Sequence, residues 1–289
     1  MNKLETGLSG CKLELIGSNI LRKHSSCEKY NKRLDLQIKK QKRFSNQVFK
    51  NIETPKIIDV DREYLYYFDM EYVSGHSFIE YFSTSSLKDI QFVLDSLYGY
   101  FDDLVFNARF YKPEVSRKIL LDKIESLSPH TSHLSDIFLV RQVVDQVEMH
   151  IPQTFCHGDL TFTNIIFHQN RLYFIDFLDC FIDSFFSDLV KLKQDLWYHW
   201  SLEVQGIKSL RIRQIYSFLW SKISERYDKY VNSIEFAVLD VLNTLRLEPY
   251  LTNDHQRIII KRMLKNHSLH ANVSCSDGGT VKQIPQPAT

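Results

Sequence analysis

His157, Gly158, Asp159 and Asn164 share one short stretch of the chain, and Asp176 follows after an apolar interval. The run is Phe155-Cys156-His157-Gly158-Asp159-Leu160-Thr161-Phe162-Thr163-Asn164-Ile165-Ile166-Phe167, then Leu172-Tyr173-Phe174-Ile175-Asp176-Phe177. Phosphoryl transfer needs few parts: a carboxylate to accept or orient the proton of the attacking hydroxyl, and oxygen ligands for the metal that neutralises phosphate charge. Asp159 supplies the first. Asn164 and Asp176 supply hard oxygens of the kind Mg²⁺ prefers. Alone, the His-Gly-Asp triplet is a turn and Asp176 a strand-end cap; at this joint spacing they read as one phosphoryl-transfer site.

Elements must hold these groups in place. Asn164 opens an apolar strand to Phe167, and Leu172–Ile175 is the returning strand that delivers Asp176. Upstream, Cys11 to Ile16 alternates, Gly17-Ser18-Asn19 turns, and Ile20-Leu21-Arg22-Lys23 is a further short strand. Residues 27–49 switch to helical period, with Leu34 and Ile38 on one stripe and Lys, Arg and Gln elsewhere. Ile57–Val60 and Tyr64–Val73 read as strands, broken by Ser74-Gly75. Beyond Gly75 the pattern is mostly helical: 86–110, 114–127, 134–150, 183–200, 208–227, 233–247 and 254–266. The expected organisation is a small β-rich lobe over 1–73, a larger helical lobe over 74–270 and a polar tail over 271–289.

The central segment resembles the aminoglycoside phosphotransferase and choline kinase-like family, whose catalytic loop has the form HGDxxxxN and whose metal strand has the form IDF or IDW. The resemblance implies an α+β, two-lobed protein-kinase-like fold. It implies that Asp159 is the catalytic base, that Asn164 and Asp176 hold Mg²⁺, and that His157 organises the loop. By the same resemblance Lys23 is the match for the ATP-phosphate lysine, and Phe68 to Gly75 is the hinge whose backbone at Glu71, Tyr72 and Val73 would hold adenine. Ser187-Asp188-Leu189 resembles the start of the helix after the metal strand, with Asp188 a helix cap or a brace for the loop. Two features depart from the pattern. Gln37 stands where the family has a glutamate paired to the lysine, with Asp35 the alternative if the register differs. The nucleotide-covering loop is reduced to Gly7-Leu8-Ser9-Gly10.

Bulk properties narrow the function class. The chain has 289 residues, 44 % hydrophobic and 25 % charged, with a net charge of +1. This is an ordinary enzyme composition, and it gives no sign of a nucleic-acid partner. No apolar run is long enough to span a membrane, and the N-terminus lacks the apolar core of a signal peptide. Five scattered cysteines without a CxxC pair read as thiols of a reducing compartment, so the expected location is cytoplasmic. Charge is uneven: Arg22 to Lys50 holds 10 Lys+Arg against 2 Asp+Glu, and Phe155 to Asp188 holds 5 Asp against Arg171 alone. The acidic stretch suits metal ions or a cationic substrate; the basic run is a solvated helix face or a surface for an acidic partner.

The expected activity is ATP- and Mg²⁺-dependent phosphorylation of a hydroxyl on a small molecule. A sugar or an amino alcohol such as choline or ethanolamine is the leading acceptor, in cell-surface polysaccharide metabolism. Asp179, Asp183, Trp197 and Trp200 are candidate substrate contacts: the aspartates could assist the metal or bind an amine or hydroxyl, and aromatic rings can cage a quaternary ammonium, although packing of their helix is the favoured reading of the two tryptophans. Lys191, Lys193, Lys208, Arg211 and Arg213 argue against a polycationic aminoglycoside. A nucleotide-binding pseudokinase is the alternative class, favoured by Gln37 and opposed by intact Asp159, Asn164 and Asp176.

Overall fold

The alternating run from Cys11 and the β-rich run from Ile20 form an antiparallel pair across the turn the sequence predicts. The computed structural model describes residues 3–4 and 11–266; Gly7, Gly10 and the 271–289 tail lie outside the described residues. In chain order the elements are β1 (Lys3–Leu4), β2 (Cys11–Ile16), β3 (Ile20–Ser25), α1 (Glu28–Ser45), β4 (Ile52–Glu53), β5 (Ile57–Asp61), β6 (Tyr67–Glu71), α2 (Phe78–Thr84) and α3 (Leu87–Phe106). They continue with β7 (Arg109–Phe110), α4 (Pro113–Thr131), α5 (Ser135–Gln146), β8 (Pro152–Gln153), β9 (Ile165–His168), β10 (Arg171–Phe174) and α6 (Phe185–Leu196). The last are α7 (Trp200–Val204), α8 (Leu210–Arg226), α9 (Asp228–Val231), α10 (Ile234–Leu245) and α11 (Asp254–Lys265). The fold is α+β, and it divides into two compact units: Met1–Asp103 with His157–Cys180, and Leu104–Cys156 with the chain from Phe181 onward.

The first unit holds an antiparallel sheet in the order β1-β2-β3-β6-β5. Leu13 pairs with Lys23 and Lys23 with Phe68, so these three share one face. Arg22 and Asp69, also in register, share the other. There the guanidinium makes two parallel bonds of 2.7 and 2.8 Å to the carboxylate and lies 3.9 Å from the Tyr67 ring centre. α1 is basic yet well placed as a helix: Leu34 and Ile38 bury against Cys11, Phe68 and Met70, while Glu28 in its first turn and Lys42 and Arg43 in its last complement the helix dipole. A second sheet, β4-β10-β9, carries the hairpin predicted between Asn164 and Ile175. Gln169 and Asn170, both at positive φ, turn it, and β4 joins β10 in parallel.

The second unit is organised around α10, every residue of which is buried. Its polar side chains are matched from α6: Lys193 pairs with Asp240 at 2.5 Å, and Asn243 donates to Gln194 at 2.8 Å. Three expectations need correction here. α6 stops at Leu196 rather than running to Trp200, because His199 is in the left-handed conformation at φ 58 and turns the chain into α7. The N-cap of α6 is Ser184, whose hydroxyl accepts from the Phe186 N–H, not Asp188, which is buried in the first turn. The basic stretch from Lys191 is only partly a cationic surface, since Lys191 is 4 % exposed and Arg213 is bonded to Glu203 at 3.0 Å, while Lys208 and Arg211 are exposed.

Glu235 of α10 is fully buried, with one carboxyl oxygen accepting from the His150 N–H at 3.0 Å and the other without a hydrogen-bond partner among the described residues. Burial raises its pKa, outweighing the lowering effect of that backbone bond. A carboxyl whose folded pKa is raised favours folding fully below its unfolded pKa and loses that contribution as pH climbs through the folded value. Glu235→Gln keeps the acceptor oxygen without the charge. We expect the variant to exceed wild type in stability by about 1 kcal/mol at pH 8 and to match it near pH 4, measured by urea denaturation across that range.

Candidate active site

The His-Gly-Asp loop is built on a buried imidazole. His157 is 0 % exposed. Its Nδ1 accepts from the Asp159 N–H at 3.2 Å, and its Nε2 lies 2.8 Å from the Ile175 carbonyl. A nitrogen that accepts carries no proton, so the proton is on Nε2 and donates to Ile175. The ring thus ties the loop to the strand that delivers Asp176. It also packs 4.4 Å from the Phe177 ring, and Phe177 packs 5.0 Å from Phe44 of α1. Loop, metal strand and helix share one aromatic column.

Gly158 sits at φ +90, and a Cβ there would lie 2.2 Å from the Leu178 carbonyl oxygen. The close approach is fixed by the Leu178 N–H, which donates to His157 at 3.1 Å. Lys40 closes the same spot from α1, donating to the Leu178 carbonyl at 3.0 Å and lying 2.9 Å from the Cys180 sulfur. Nothing in the sequence distinguishes Lys40 from the other cations of its run. Its role emerges only once the helix is set against the loop.

Asn164 donates from Nδ2 to the Asp159 carbonyl at 2.8 Å and to its Oδ2 at 3.1 Å. The amide orientation is therefore set, and its oxygen is the atom left to face outward as a ligand. Asp176 takes a left-handed backbone at φ 58, which Asp tolerates better than most residues. Its carboxylate pairs with the ammonium of Lys23, 37 % exposed for the acid and 6 % for the base. Asn164 and Asp176, two hard oxygen donors lining the same cavity, fit a Mg²⁺ ion.

That cavity belongs wholly to the first unit. Lys23, Asn164 and Asp176 line its polar end and Leu13, Leu21 and Ile166 its apolar flanks, with Glu71, Tyr72 and Val73 along one edge. The strand edge has a specific opening. The Glu71 N–H bonds Lys56 and the Tyr72 N–H bonds Asn19. The Lys56 N–H, the ladder partner for the Glu71 carbonyl, donates instead to the Glu71 side chain at 3.1 Å. The next outward N–H on that side, Val73, has no partner among the described residues. Among the described residues the Glu71 carbonyl and the Val73 N–H are thus without backbone partners, on residues that line the cavity. The buried Gln41 holds Pro55 in place through a 2.8 Å bond to its carbonyl.

Not every predicted site residue joins this group. Gln37 is buried at 2 % and does not line the cavity; Asp35 is taken by Lys39 and Arg62 at 2.7 and 2.8 Å. Asp179 is exposed near the end of the first unit. Asp183, Trp197 and Trp200 belong to the second unit, where Asp183 receives the Thr154 N–H and the Tyr111 hydroxyl on its backbone carbonyl. Trp197 is 51 % exposed while Tyr198 is 4 % exposed, so the aromatic run does not present one common face.

A family model for a phosphotransferase enzyme family matches residues 20–224. Among solved structures, an ADP-bound aminoglycoside phosphotransferase of the 2″-Ib type is similar at 14 % identity and a TM-score of 0.56, covering 92 % of this chain and 93 % of its own. A GDP complex of aminoglycoside 2′-phosphotransferase IIIa matches at 12 % and 0.58, covering 96 % and 93 %. A candidate fructosamine-3-kinase from Thermobifida fusca matches at 14 % and 0.56, covering 92 % and 93 %. At such identities the likeness establishes the fold, which is the two-lobed protein-kinase-like one. No curated protein sequence matches the chain.

Two glycines separate strain from crowding. Gly17 is at φ +66 with nothing within 4 Å of a built Cβ, whereas Gly158 is at φ +90 and crowded by Leu178. We expect Gly17→Ala to cost about 1 kcal/mol, the left-handed penalty alone, and Gly158→Ala about 3 kcal/mol or more. Equal costs in urea denaturation would mean that the loop does not depend on the Leu178 contact.

Proposed function

The chain belongs to the phosphotransferase enzyme family, and on that premise we propose that it moves the γ-phosphoryl group of ATP, with Mg²⁺, to a hydroxyl of a small molecule. The observation that carries this reading is the meeting of Lys23, Asn164 and Asp176 around one cavity with Asp159 bonded to Asn164. Asp159 would accept the proton of the acceptor hydroxyl as its oxygen bonds the γ-phosphorus and the bond to the β-phosphate breaks, releasing ADP. His157 holds Asp159 and Asp176 in relation to each other through its neutral ring. Lys23 would meet the phosphates. Asn164 and Asp176 would hold Mg²⁺, which supplies charge neutralisation on the phosphoryl oxygens. At the other end of the cavity, the Glu71 carbonyl and the Val73 N–H would meet the amino group and ring nitrogen of adenine.

For the acceptor we retain a sugar or an amino alcohol, such as choline or ethanolamine of cell-surface polysaccharide metabolism, in a cytoplasmic enzyme. An aminoglycoside is a second reading with specific support. Three structural neighbours are named as aminoglycoside phosphotransferases or complexes with such drugs. Of the five cationic residues that spoke against it, Lys191, Lys193 and Arg213 are buried or paired, while Lys208 and Arg211 are exposed.

The test is ATP turnover against a panel of sugars, amino alcohols and aminoglycosides, by mass gain of one phosphoryl group. Asp159→Asn is expected to lower transfer about 10³-fold while Mn·ADP binding persists. A wild-type protein that binds nucleotide but phosphorylates nothing would instead support the non-catalytic, nucleotide-binding reading.

A further inference from the structure

Ile166 of β9 is one of the apolar walls of the cavity, and Val73 belongs to its strand edge. Two residues past Val73 the chain runs directly against β9, and Gly75 is the point of contact. A Cβ there would lie 2.6 Å from the Ile166 Cγ2, 2.7 Å from the Phe167 carbonyl oxygen and 3.2 Å from the His168 Cβ. Ile166 and His168, two apart on a strand, share a face, so Gly75 sits over the gap between them. Its φ is not in the left-handed region, so backbone conformation does not call for glycine here. Space alone does.

β9 cannot retreat from this contact. Phe167 and His76 exchange both backbone bonds, at 2.9 and 3.0 Å. On the other face of the strand the Phe167 ring stacks on Tyr81 at 4.2 Å and meets Phe82 at 5.5 Å. β10 holds the far edge, with Ile166 opposite Tyr173 and Phe167 opposite Leu172. Bringing a new methyl to ordinary contact distance needs about 0.8 Å or more of movement. What can move is the Ile166 side chain or the linker that carries Val73. Either response changes the spacing between the two.

The phosphate end is held separately. Asn164 bonds Asp159 at 2.8 and 3.1 Å, and its carbonyl accepts the Ile175 N–H at 3.0 Å. Lys23 is held in the main sheet by β2 and β6. We propose that Gly75 is a positioning residue that sets the spacing between the Val73 edge and the Ile166 wall, and through it the grip of the cavity on a nucleotide base. This rests on the phosphotransferase reading above. Gly75 governs how tightly a flat ring is held; it does not govern whether phosphates are held.

The experiment compares Mn·ADP with Mn·tripolyphosphate, which offers phosphates without a base. Affinities are measured by isothermal titration calorimetry on the full chain in wild type, Gly75→Ala, Ile166→Ala and the double variant. In Gly75→Ala we expect ADP to weaken about tenfold or more, the range for one misplaced methylene in an apolar pocket, and tripolyphosphate to stay within about twofold. A merely structural glycine would weaken both ligands together or neither, and either result overturns the proposal. Ile166→Ala removes one of the crowding atoms, so Gly75→Ala should cost less ADP affinity in that background than in wild type. Equal costs in the two backgrounds would mean that Gly75 does not act through Ile166. A crystal structure of wild type with Mn·ADP is independent of variant folding: the base is expected in van der Waals contact with Ile166, and a base bound clear of it sinks the idea. A wild type that binds neither ligand would count against the nucleotide reading itself.

Discussion

A buried ammonium requires an acceptor, and the Lys23–Asp176 pair is the constraint around which the first unit is arranged. Lys23 is on β3, held in register by β2 and β6. Asp176 comes off the end of β10, far away in the chain, and is held there by the carbonyl of Ile175 bonded to His157. Sheet, hairpin and His-Gly-Asp loop must therefore be correct together for the charge to be satisfied. Phe44, Phe177 and Lys40 add an apolar column and a second cation that fix α1 to the same point.

How much of this was legible in the sequence follows from how local each feature is. The loop from His157 to Phe177 is one continuous segment with its own period change, so its parts and their order could be read directly. The Lys23 strand and the basic helix could be read from alternation and from the Leu34–Ile38 spacing. The partner of Lys23 could not, because Asp176 reaches it only in three dimensions, from a strand far along the chain. β4 escaped notice because two residues have no period and its partner β10 is far downstream. The short α2 is marked by Ser77 and Glu80, which form a reciprocal cap, but its seven residues are too few to show a helical period.

The aromatic run after α6 teaches a different lesson. Helical period extended naturally from Asp183 to Trp200, and composition gave no stop. The stop is conformational: His199 adopts a left-handed backbone, a choice that propensity does not forecast for a non-glycine residue. Burial then separated neighbours that the sequence grouped, sending Tyr198 inward and Trp197 outward. In the same way the cations from Lys191 onward were counted by sequence as surface, whereas the fold spends several on internal partners. Charge tallies describe composition; only packing decides which charges an incoming ligand would meet.

The first unit is discontinuous, leaving off at Asp103 and resuming at His157. Synthesis on the ribosome proceeds from the N-terminus, so the sheet and α1 emerge well before the hairpin that completes them. Until Asp176 has left the exit tunnel, Lys23 has no carboxylate from that strand and β4 has no β10 to pair with. The intervening segment, Leu104–Cys156, is made in full during that wait. Completion of the first unit is thus a late, long-range closure in the life of the nascent chain, and its rate is bounded by translation of residues that contribute nothing to the cavity.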